Sequence, residues 1–226
     1  MAALVGDRAA ALITPKMRLG LGSGRMARAF VEALRPRVAE GMPLFGFCTS
    51  KDTERLAHEV GIAILRHSGK GLDLDVDGAD EFDDALNLLK GGGGALLREK
   101  MVAQRSRRFL VLADASKHVE RLGARHPLPV EVLRYDWEGT AHRLELRLGG
   151  RARLREKAGR PFLTDNGNYV VDLELAQGLD APETAARELE QMAGVLGHGL
   201  FLGLAQAGLV FARGEVQQLG DLRLSS

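Results

Sequence analysis

Several features are scarce in this chain of 226 residues, and each scarcity excludes a class of protein. Cys48 is the single cysteine, so the chain has no internal disulfide, which favours a reducing compartment such as the cytoplasm. Its 31 basic and 30 acidic residues leave a net charge of +1, whereas a dedicated nucleic-acid-binding domain is usually strongly basic. We therefore expect a cytoplasmic protein whose partners do not include nucleic acid.

Long apolar runs are also missing. No run approaches the ~18 residues of a membrane-spanning helix, and residues 1–8 lack the basic and then apolar pattern of a secretion signal. We therefore expect no membrane partner. A hydrophobic content of 45% nevertheless allows a packed core and argues against disorder.

Glycine, in contrast, is abundant. The chain has 28 glycines, about 12% of its residues against a typical ~7%. Seven of them form two clusters, Gly20, Gly22 and Gly24 in the first and residues 91–94 in the second. Because glycine allows tight turns and a close approach of the backbone to a ligand, both clusters are candidate ligand-binding sites.

The first half of the chain alternates short apolar segments with amphipathic ones, which is typical of an α/β protein. Helices are predicted from the first glycine cluster to Pro36, from about Thr49 to Val60 and from Gly94 to Arg105. The predicted strands are residues 17–21, 44–48, 62–65, 72–76 and 109–113.

The pattern changes at the proline-marked joint of residues 126–129. Beyond it we predict strands such as residues 144–148, a turn at residues 165–168 and one helix at residues 182–192. Residues 200–210 and a C-terminal strand are predicted to return to the main sheet. The fold class is therefore α/β, with a larger α/β domain (residues 1–125 plus 198–226) and a smaller inserted α+β domain (residues 126–197).

The first glycine cluster reads G-L-G-S-G-R over residues 20–25, between a predicted strand and a predicted helix. The N-terminus of a helix offers unpaired N–H groups to an anion, so a phosphate cradle is the favoured interpretation. A turn required only by packing is the alternative. The spacing is not the G-x-G-x-x-G of dinucleotide-binding proteins, and the next strand ends in Cys48-Thr49-Ser50 without an acidic residue.

Acidic residues are concentrated in residues 73–84, D-L-D-V-D-G-A-D-E-F-D-D. Their spacing nearly matches a calcium-binding EF-hand loop, but the segment alternates as a strand and ends in Asp84 where that loop requires glutamate. We interpret it as a strand that brings Asp77 and Asp80 to the carboxyl edge of a parallel sheet, where ligands bind. Solvated positions are predicted for Asp73, Asp83 and Asp84.

The second glycine cluster lies between Lys90 and a predicted helix. Four consecutive glycines lose much conformational entropy on folding, which favours a backbone that wraps closely around a ligand, with a flexible linker as the alternative. In the helix, Glu99 lies four residues from both Ala95 and Ala103. These small neighbours leave room for its carboxylate to project into a cavity, and a surface glutamate is the alternative.

A fourth candidate is Asp114-Ala115-Ser116-Lys117, which follows the strand predicted at residues 109–113. Lys117 is placed to meet a phosphate, and an exposed lysine beside a helix cap is the alternative. The six histidines show no metal-ligand spacing, so we predict no metal. We also predict no cofactor.

Taken together, these segments resemble the type A family of ribose-5-phosphate isomerases. The resemblance covers nearly the whole chain in the expected order. It rests on D-G-A-D-E at 77–81, K-G-G-G-G at 90–94, R-E-K at 98–100, D-A-S-K at 114–117, P-L-P-V-E-V at 127–132 and T-D-N-G-N at 164–168.

The resemblance implies interconversion of D-ribose 5-phosphate and D-ribulose 5-phosphate through an enediolate, without a metal. It implies that Glu99 is the acid/base, that Asp77 and Asp80 are catalytic loop aspartates and that Lys90 is the catalytic-loop lysine. A Rossmann-like larger domain, a smaller α+β domain and a homodimer or homotetramer are also expected. The substrate-binding residues implied are Ser23, Gly24, Arg25, Met26, Gly78, Ala79, Gly91, Gly92, Gly93 and Lys117.

The chain departs from the family pattern in its first loop, which in the family usually reads G-x-G-T-G-S-T. Here Ser23 keeps one hydroxyl, while Arg25 and Met26 replace the other two. A family lysine near the start also falls at Ala2. Our hypothesis is that Arg25 supplies the charge that these changes remove, because a guanidinium binds phosphate through two parallel hydrogen bonds.

Three other functions remain open at this point. A non-catalytic sugar-phosphate sensor would need the phosphate loops but not Glu99, and no helix-turn-helix segment is visible. An amino-sugar phosphate deaminase or a lactonase of the same fold group would be expected to have a histidine near the acidic segment, and none lies between His67 and His118. A nicotinamide-dependent dehydrogenase is the third.

Overall fold

The computed structural model describes residues 1–67, 69 and 71–222. Its helices are α1 (Ala2–Ala10), α2 (Gly24–Ala33), α3 (Arg35–Ala39), α4 (Lys51–Val60), α5 (Leu96–Arg105), α6 (Trp137–Leu148) and α7 (Pro182–Glu190). A 3₁₀ turn covers Ala115–Lys117. The strands are β1 (Arg18–Leu21), β2 (Phe45–Cys48), β3 (Ala63–Ile64), β4 (Leu74–Gly78), β5 (Glu81–Phe82), β6 (Leu88–Leu89), β7 (Phe109–Asp114), β8 (Leu128–Val132), β9 (Arg151–Leu154), β10 (Glu156–Lys157), β11 (Arg160–Pro161), β12 (Tyr169–Glu174), β13 (Val195–His198), β14 (Leu200–Phe201), β15 (Ala207–Ala212) and β16 (Glu215–Gly220).

The chain divides into two compact units. The first contains residues 1–79, 98–117 and those from 203 onward, and the second contains residues 80–97 and 118–202. This division differs from the predicted boundaries, which keep residues 1–125 together. The physical reason is that β5 and β6 pair with each other, and β6 pairs with β14, so this short segment belongs to the second unit.

The first unit is built on a sheet whose described strands lie in the order β16-β15-β7-β4-β1-β2-β3. Neighbouring strands are parallel, except that β16 runs antiparallel to β15. All six residues of β7 are buried, as expected for a central parallel strand. The predicted α/β class, with a mostly parallel central sheet, is confirmed, and each strand predicted in the first half is present with slightly shifted ends.

The order in which successive strands are added to the sheet reverses at β1. From β1 the sheet grows through β2 to β3 on one side, and β4 then pairs with the other side of β1. The carboxyl ends of β1 and β4 therefore lie side by side at a topological switch point, which is where open α/β sheets bind ligands.

The helices of the first unit follow the apolar periodicity of the sequence. Met26 and Phe30 of α2 are buried, and α1 lies so close to α2 that a Cβ atom at Gly6 would be 2.7 Å from the backbone of Ala29. The helix predicted to end at Pro36 instead ends at Ala33. Pro36 occupies the first turn of α3, where a missing N–H leaves no helical hydrogen bond unmade.

The second unit holds an antiparallel sheet in the order β13-β8-β12-β9, a β10-β11 hairpin and a small sheet in the order β14-β6-β5. Helices α6 and α7 contribute Leu144 and Leu189 to its core. Two predictions are wrong here. Residues 144–148 belong to α6 rather than to a strand, and Leu200–Phe201 pairs with β6 rather than joining the main sheet, although β15 and β16 do join it.

The aspartates predicted to be solvated differ from one another. Asp84 is exposed, as predicted. Asp73 is half-buried, and its Oδ2 accepts a hydrogen bond of 2.8 Å from the backbone N–H of Arg18. Asp83 accepts hydrogen bonds from the backbone N–H groups of Ala85 and Asn87, so it organises the turn before β6. Asp73 and Asp83 are therefore partly exposed, and each also binds the backbone, which was not predicted.

No helix in the described part of the chain is both long enough and apolar enough to cross a membrane.

Cys48 lies at the end of β2, half-buried, and burial raises the pKa of its thiol to about 12, with a further increase from nearby Glu54 and a smaller opposing effect of Arg66. Only the thiolate reacts with alkylating reagents, so at pH 8 we predict alkylation roughly 10³-fold slower than in the unfolded chain. The rate is expected to rise as the pH approaches 12. Iodoacetamide labelling followed by mass spectrometry measures this, and equal rates in folded and denatured protein would contradict it.

Candidate active site

Asp77 lies at the carboxyl end of β4, and its side chain is fully buried. One carboxylate oxygen, Oδ1, accepts hydrogen bonds from the backbone N–H groups of Ser23 at 2.9 Å and Gly78 at 2.7 Å. Because β1 and β4 are neighbours, the loop that follows β1 can donate to this carboxylate directly. The orientation of Asp77 is thus fixed by the backbone at the switch point.

Two glycines of the first cluster leave space for the buried aspartates of β4. A Cβ atom at Gly22 would lie 2.1 Å from Cγ of Asp77, and one at Gly20 would lie 2.6 Å from Oδ1 of Asp75. Only glycine fits at such distances. Gly24 differs, because it has a φ of +80° and a Cβ there would meet no atom within 4 Å. Packing therefore explains the first two glycines, and a turn into α2 explains the third.

Glu99 lies in the first turn of α5 and is only 5% exposed, so it is not a surface glutamate. The hydroxyl of Ser23 donates a short hydrogen bond to Oε1 of Glu99. Ser23 therefore binds two carboxylates at once, Asp77 through its N–H and Glu99 through its O–H. The sequence suggested Ser23 only as a substrate ligand, and the contact with Glu99 was not foreseen.

The carboxyl end of β7, next to β4, carries Asp114. Its carboxylate accepts hydrogen bonds from the backbone and hydroxyl of Ser116. The guanidinium of Arg25 lies 3.7 Å from Oδ2 of Asp114, with 68% of the arginine side chain exposed. Lys117 ends the 3₁₀ turn that follows, and Met26 is buried in the core of the first unit. Arg25 thus has an acidic neighbour that the sequence pattern did not reveal.

Lys90 follows β6 in the second unit and is 3% exposed. Its backbone N–H donates to the carbonyl of Gly199 at 2.8 Å. Its ammonium nitrogen, Nζ, lies 5.5 Å from the centroid of the Phe201 ring, within the range of a cation–π interaction. The lysine is therefore held in a largely desolvated position, where its charge acts more strongly than it would in water.

The four-glycine run is a fixed turn rather than a flexible linker. The N–H of Gly94 donates to the carbonyl of Gly91 at 2.9 Å, and the N–H of Gly92 donates to Oδ2 of Asp80 at 2.7 Å. A Cβ atom at Gly94 would lie 2.3 Å from the ring of Phe162. The run is thus held by hydrogen bonds, and side chains would not fit at Gly91 and Gly94, next to Leu96 and Phe162, whereas a Cβ at Gly93 would meet no atom within 4 Å.

Four further residues of the second unit were missed by the sequence reasoning. Arg155, paired with Asp172, donates to the carbonyl oxygens of the glycine run. Buried Glu81 accepts three backbone N–H groups from residues 123–126, and buried Glu131 accepts from the side chains of the T-D-N-G-N segment. No local pattern indicates these pairs, because their members are far apart in the chain.

Within the described ranges, no group of three or more histidine, cysteine or acidic side chains is arranged to hold a metal ion. Asp77 and Glu99 instead surround Ser23 at the switch point of a parallel sheet. Buried carboxylates at the carboxyl ends of parallel strands are typical of α/β enzymes that act on small ligands. The fold and site thus place this chain among such enzymes.

Comparison with known proteins identifies the particular family. The family model of ribose 5-phosphate isomerase A (phosphoriboisomerase A) matches residues 45–215. Ribose-5-phosphate isomerase A of Deinococcus radiodurans is 41% identical over 94% of this chain and 94% of its own length. That of Gluconobacter oxydans is 43% identical over 89% of this chain and 88% of its own length. This chain belongs to the ribose 5-phosphate isomerase A family.

The solved structures agree with this assignment. Ribose 5-phosphate isomerase A of Methanocaldococcus jannaschii is 32% identical, with a TM-score of 0.91 over 97% of this chain and 98% of that one. A D-ribose-5-phosphate isomerase in complex with phospho-erythronic acid is also 32% identical, with a TM-score of 0.92 over 97% of both chains. The predicted family is confirmed, and with it the class of isomerase that interconverts ribose 5-phosphate and ribulose 5-phosphate in the pentose phosphate pathway.

Proposed function

We propose that this chain isomerises D-ribose 5-phosphate and D-ribulose 5-phosphate through an enediolate, with Glu99 moving the proton. The reaction transfers a proton between C1 and C2, so a single carboxylate placed over both carbons can act first as base and then as acid. The observation that carries this proposal is that Glu99 is buried yet held at Oε1 by the Ser23 hydroxyl. A base fixed in this way keeps one orientation through both transfers.

Lys90 is proposed to stabilise the negative charge that develops on the enediolate oxygens. Preorganised donors in a water-poor site are more effective than the same groups in water. The support is the burial of Lys90 and the hydrogen-bonded turn of residues 91–94. Gly91, Gly92 and Gly93 are proposed to contact the substrate through their backbone.

The two loop aspartates are proposed to act on the sugar oxygens. Asp77 exchanges protons with them and assists ring opening, and its buried carboxylate is oriented by two backbone N–H groups. Asp80 orients a hydroxyl of the sugar, and the N–H of Gly92 holds Oδ2 of Asp80 in place by a hydrogen bond. The adjoining Gly78 and Ala79 are proposed to contribute backbone contacts to the substrate.

The phosphate is proposed to bind Ser23, Gly24, Arg25 and Lys117. The ten-residue helix α2 begins at Gly24, and the N-terminus of a helix favours the binding of an anion. Met26 contributes through its backbone, because its side chain lies in the core. A phosphate held away from the reacting carbons positions them by binding energy that is not used in the chemical step.

For Arg25→Ala we expect KM for ribose 5-phosphate to rise about tenfold, equal to ~1.4 kcal/mol of binding, while kcat changes little. The reason is that a phosphate contact is made equally in the ground state and the transition state. Arg28→Ala is the matched control, since Arg28 lies on the same helix, is 64% exposed and pairs with Glu32. Initial-rate kinetics measure both, and an unchanged KM in Arg25→Ala would remove Arg25 from the phosphate site.

The finer organisation is proposed as follows. The first unit is a Rossmann-like domain, as its switch point between β1 and β4 supports. The second unit is an inserted α+β domain, since residues 80–97 and 118–202 interrupt the sequence of the first unit.

We also propose a cytoplasmic homodimer or homotetramer that binds neither nucleic acid nor membrane. Light scattering on the purified chain distinguishes the two assemblies from a monomer.

A single assay tests the proposed activity against its alternatives. Purified protein is incubated with ribose 5-phosphate in the presence of a chelator, and formation of the ketopentose phosphate is followed. Release of ammonia from an amino-sugar phosphate, lactone hydrolysis and nicotinamide reduction are measured in parallel. Phospho-erythronic acid resembles the enediolate, because both carry a phosphate and a negatively charged oxygen. We therefore expect phospho-erythronic acid to inhibit the isomerisation competitively. Absence of ketopentose formation would overturn the proposal.

A further inference from the structure

Arg155 joins an acidic residue of the second unit to the four-glycine run. Its Nη1 donates to the carbonyl oxygens of Gly91 at 2.8 Å and Gly92 at 3.0 Å. On its other side, Nε and Nη2 bind the two carboxylate oxygens of Asp172 at 2.8 Å and 2.5 Å. Both side chains are largely buried, with 15% and 18% exposed, so solvent screens this pair only weakly.

An aromatic ring completes this arrangement. The guanidinium carbon of Arg155 lies 5.9 Å from the centroid of Phe162, and the same ring abuts Gly94. The arginine and the phenyl ring therefore hold the beginning and the end of the turn. Without such contacts, a run of four glycines would sample many conformations, because each glycine restricts the backbone so little.

We propose that Arg155 is a positioning residue for the isomerisation. By holding the carbonyl oxygens of Gly91 and Gly92, it fixes the orientation of the peptide groups that follow Lys90 and of the Gly92 N–H that binds Asp80. This inference rests on the proposed function, in which Lys90 and Asp80 act on the sugar.

Arginine is required at this position because its planar guanidinium has donors on two edges. One edge forms the paired bonds with Asp172, while the other reaches two carbonyl oxygens. A lysine ammonium is a point charge and cannot reproduce both sets of bonds. Asp172 in turn prevents the guanidinium from rotating away from the glycine run.

The test compares kcat and KM of Arg155→Met and Arg155→Lys with the wild-type chain. We expect kcat to fall about 100-fold in Arg155→Met, because small displacements of catalytic groups have effects of that size, with KM changing less than about threefold. Arg155→Lys is expected to lose most of the same activity. Arg153→Met is the matched control, since Arg153 lies in β9, two residues before Arg155, and pairs with Glu174 at 2.9 Å with half its side chain exposed. It is expected to keep kcat within about twofold of the wild-type value.

Two further measurements separate positioning from a merely structural role. Backbone amides of residues 91–94 should exchange hydrogen faster in Arg155→Met than in Arg153→Met, whereas amides of β7 should not. In Arg155→Ala, guanidinium at low millimolar concentration should restore part of kcat. If Arg155→Met does not fold, Asp172→Asn takes its place, because it weakens the hold on the guanidinium and keeps the side-chain shape.

The outcomes are distinct. Wild-type-like kcat in folded Arg155 variants, or a fall in kcat equal to that of Arg153→Met, would overturn the positioning role. Unchanged exchange of residues 91–94 would overturn it as well. If the wild-type chain itself fails to isomerise ribose 5-phosphate, the proposed function falls, and the exchange comparison still decides whether Arg155 orders the turn.

Discussion

Replacing Glu99 by glutamine is expected to lower kcat about 10³-fold or more, with little change in KM. Glutamine keeps the shape of the side chain and can still interact with the Ser23 hydroxyl, but it cannot take a proton from carbon. General acid–base catalysis contributes about 10²–10⁴-fold in enzymes, and here one group performs both transfers. Substrate binding is preserved because the contacts to the phosphate are untouched.

Steady-state kinetics and a direct binding measurement check this prediction together. Glu59→Gln is the matched control, because it makes the same chemical change at an exposed position of helix α4 in the same unit. The control is expected to behave as the wild-type chain does. Near-normal turnover in Glu99→Gln would exclude Glu99 as the base, and a loss of binding alone would assign it to substrate recognition.

Replacing Lys90 by methionine is expected to lower kcat about 10²–10³-fold, the usual effect of removing one donor from a site that stabilises an oxyanion. Lys90 is 3% exposed, so methionine keeps the apolar packing of the stem against Phe201 while removing the charge. The effect falls on kcat because the enediolate carries negative charge that the substrate lacks.

The same kinetic measurements on Lys157→Met provide the control for this change. Lys157 is an exposed residue of β10 in the same unit, so its replacement is expected to leave both constants unchanged. A rise in KM with unaltered kcat in Lys90→Met would show that the lysine binds the ground state and transition state equally. Its proposed role in the transition state would then be wrong.

The helix α6 shows why a local pattern can mislead. Residues 144–148 read L-E-L-R-L, and alternate leucines predict a strand with period two. The same letters also place Leu144 and Leu148 four residues apart, which is one face of a helix. In the structure Leu144 is fully buried, while Leu146 between them is 70% exposed, as a helix requires. The tertiary contacts of the second unit select between the two periods.

The helix α4 shows the opposite case, in which local residues are sufficient. Ser50 precedes the helix and its hydroxyl accepts the N–H of Thr53 at 3.1 Å, while Gly61 ends the helix with a φ of +92°. Both features follow from side-chain and backbone chemistry within a few residues. They were predictable for that reason.

The sequence by itself determined the α/β class, because the alternation of apolar and amphipathic segments indicates it. It also determined the family and the identity of the proposed acids and lysine, because these residues lie in short contiguous motifs. Only the tertiary structure decided that β4 lies beside β1, which brings Asp77 to Ser23 and makes Gly22 necessary beside Asp77. It also decided that α5 brings Glu99 to Ser23 across 76 residues of chain. It also decided that Arg155 holds Gly91 across 64 residues. The physical reason is that such contacts depend on strand order and packing, about which the periodicity of any one segment carries no information.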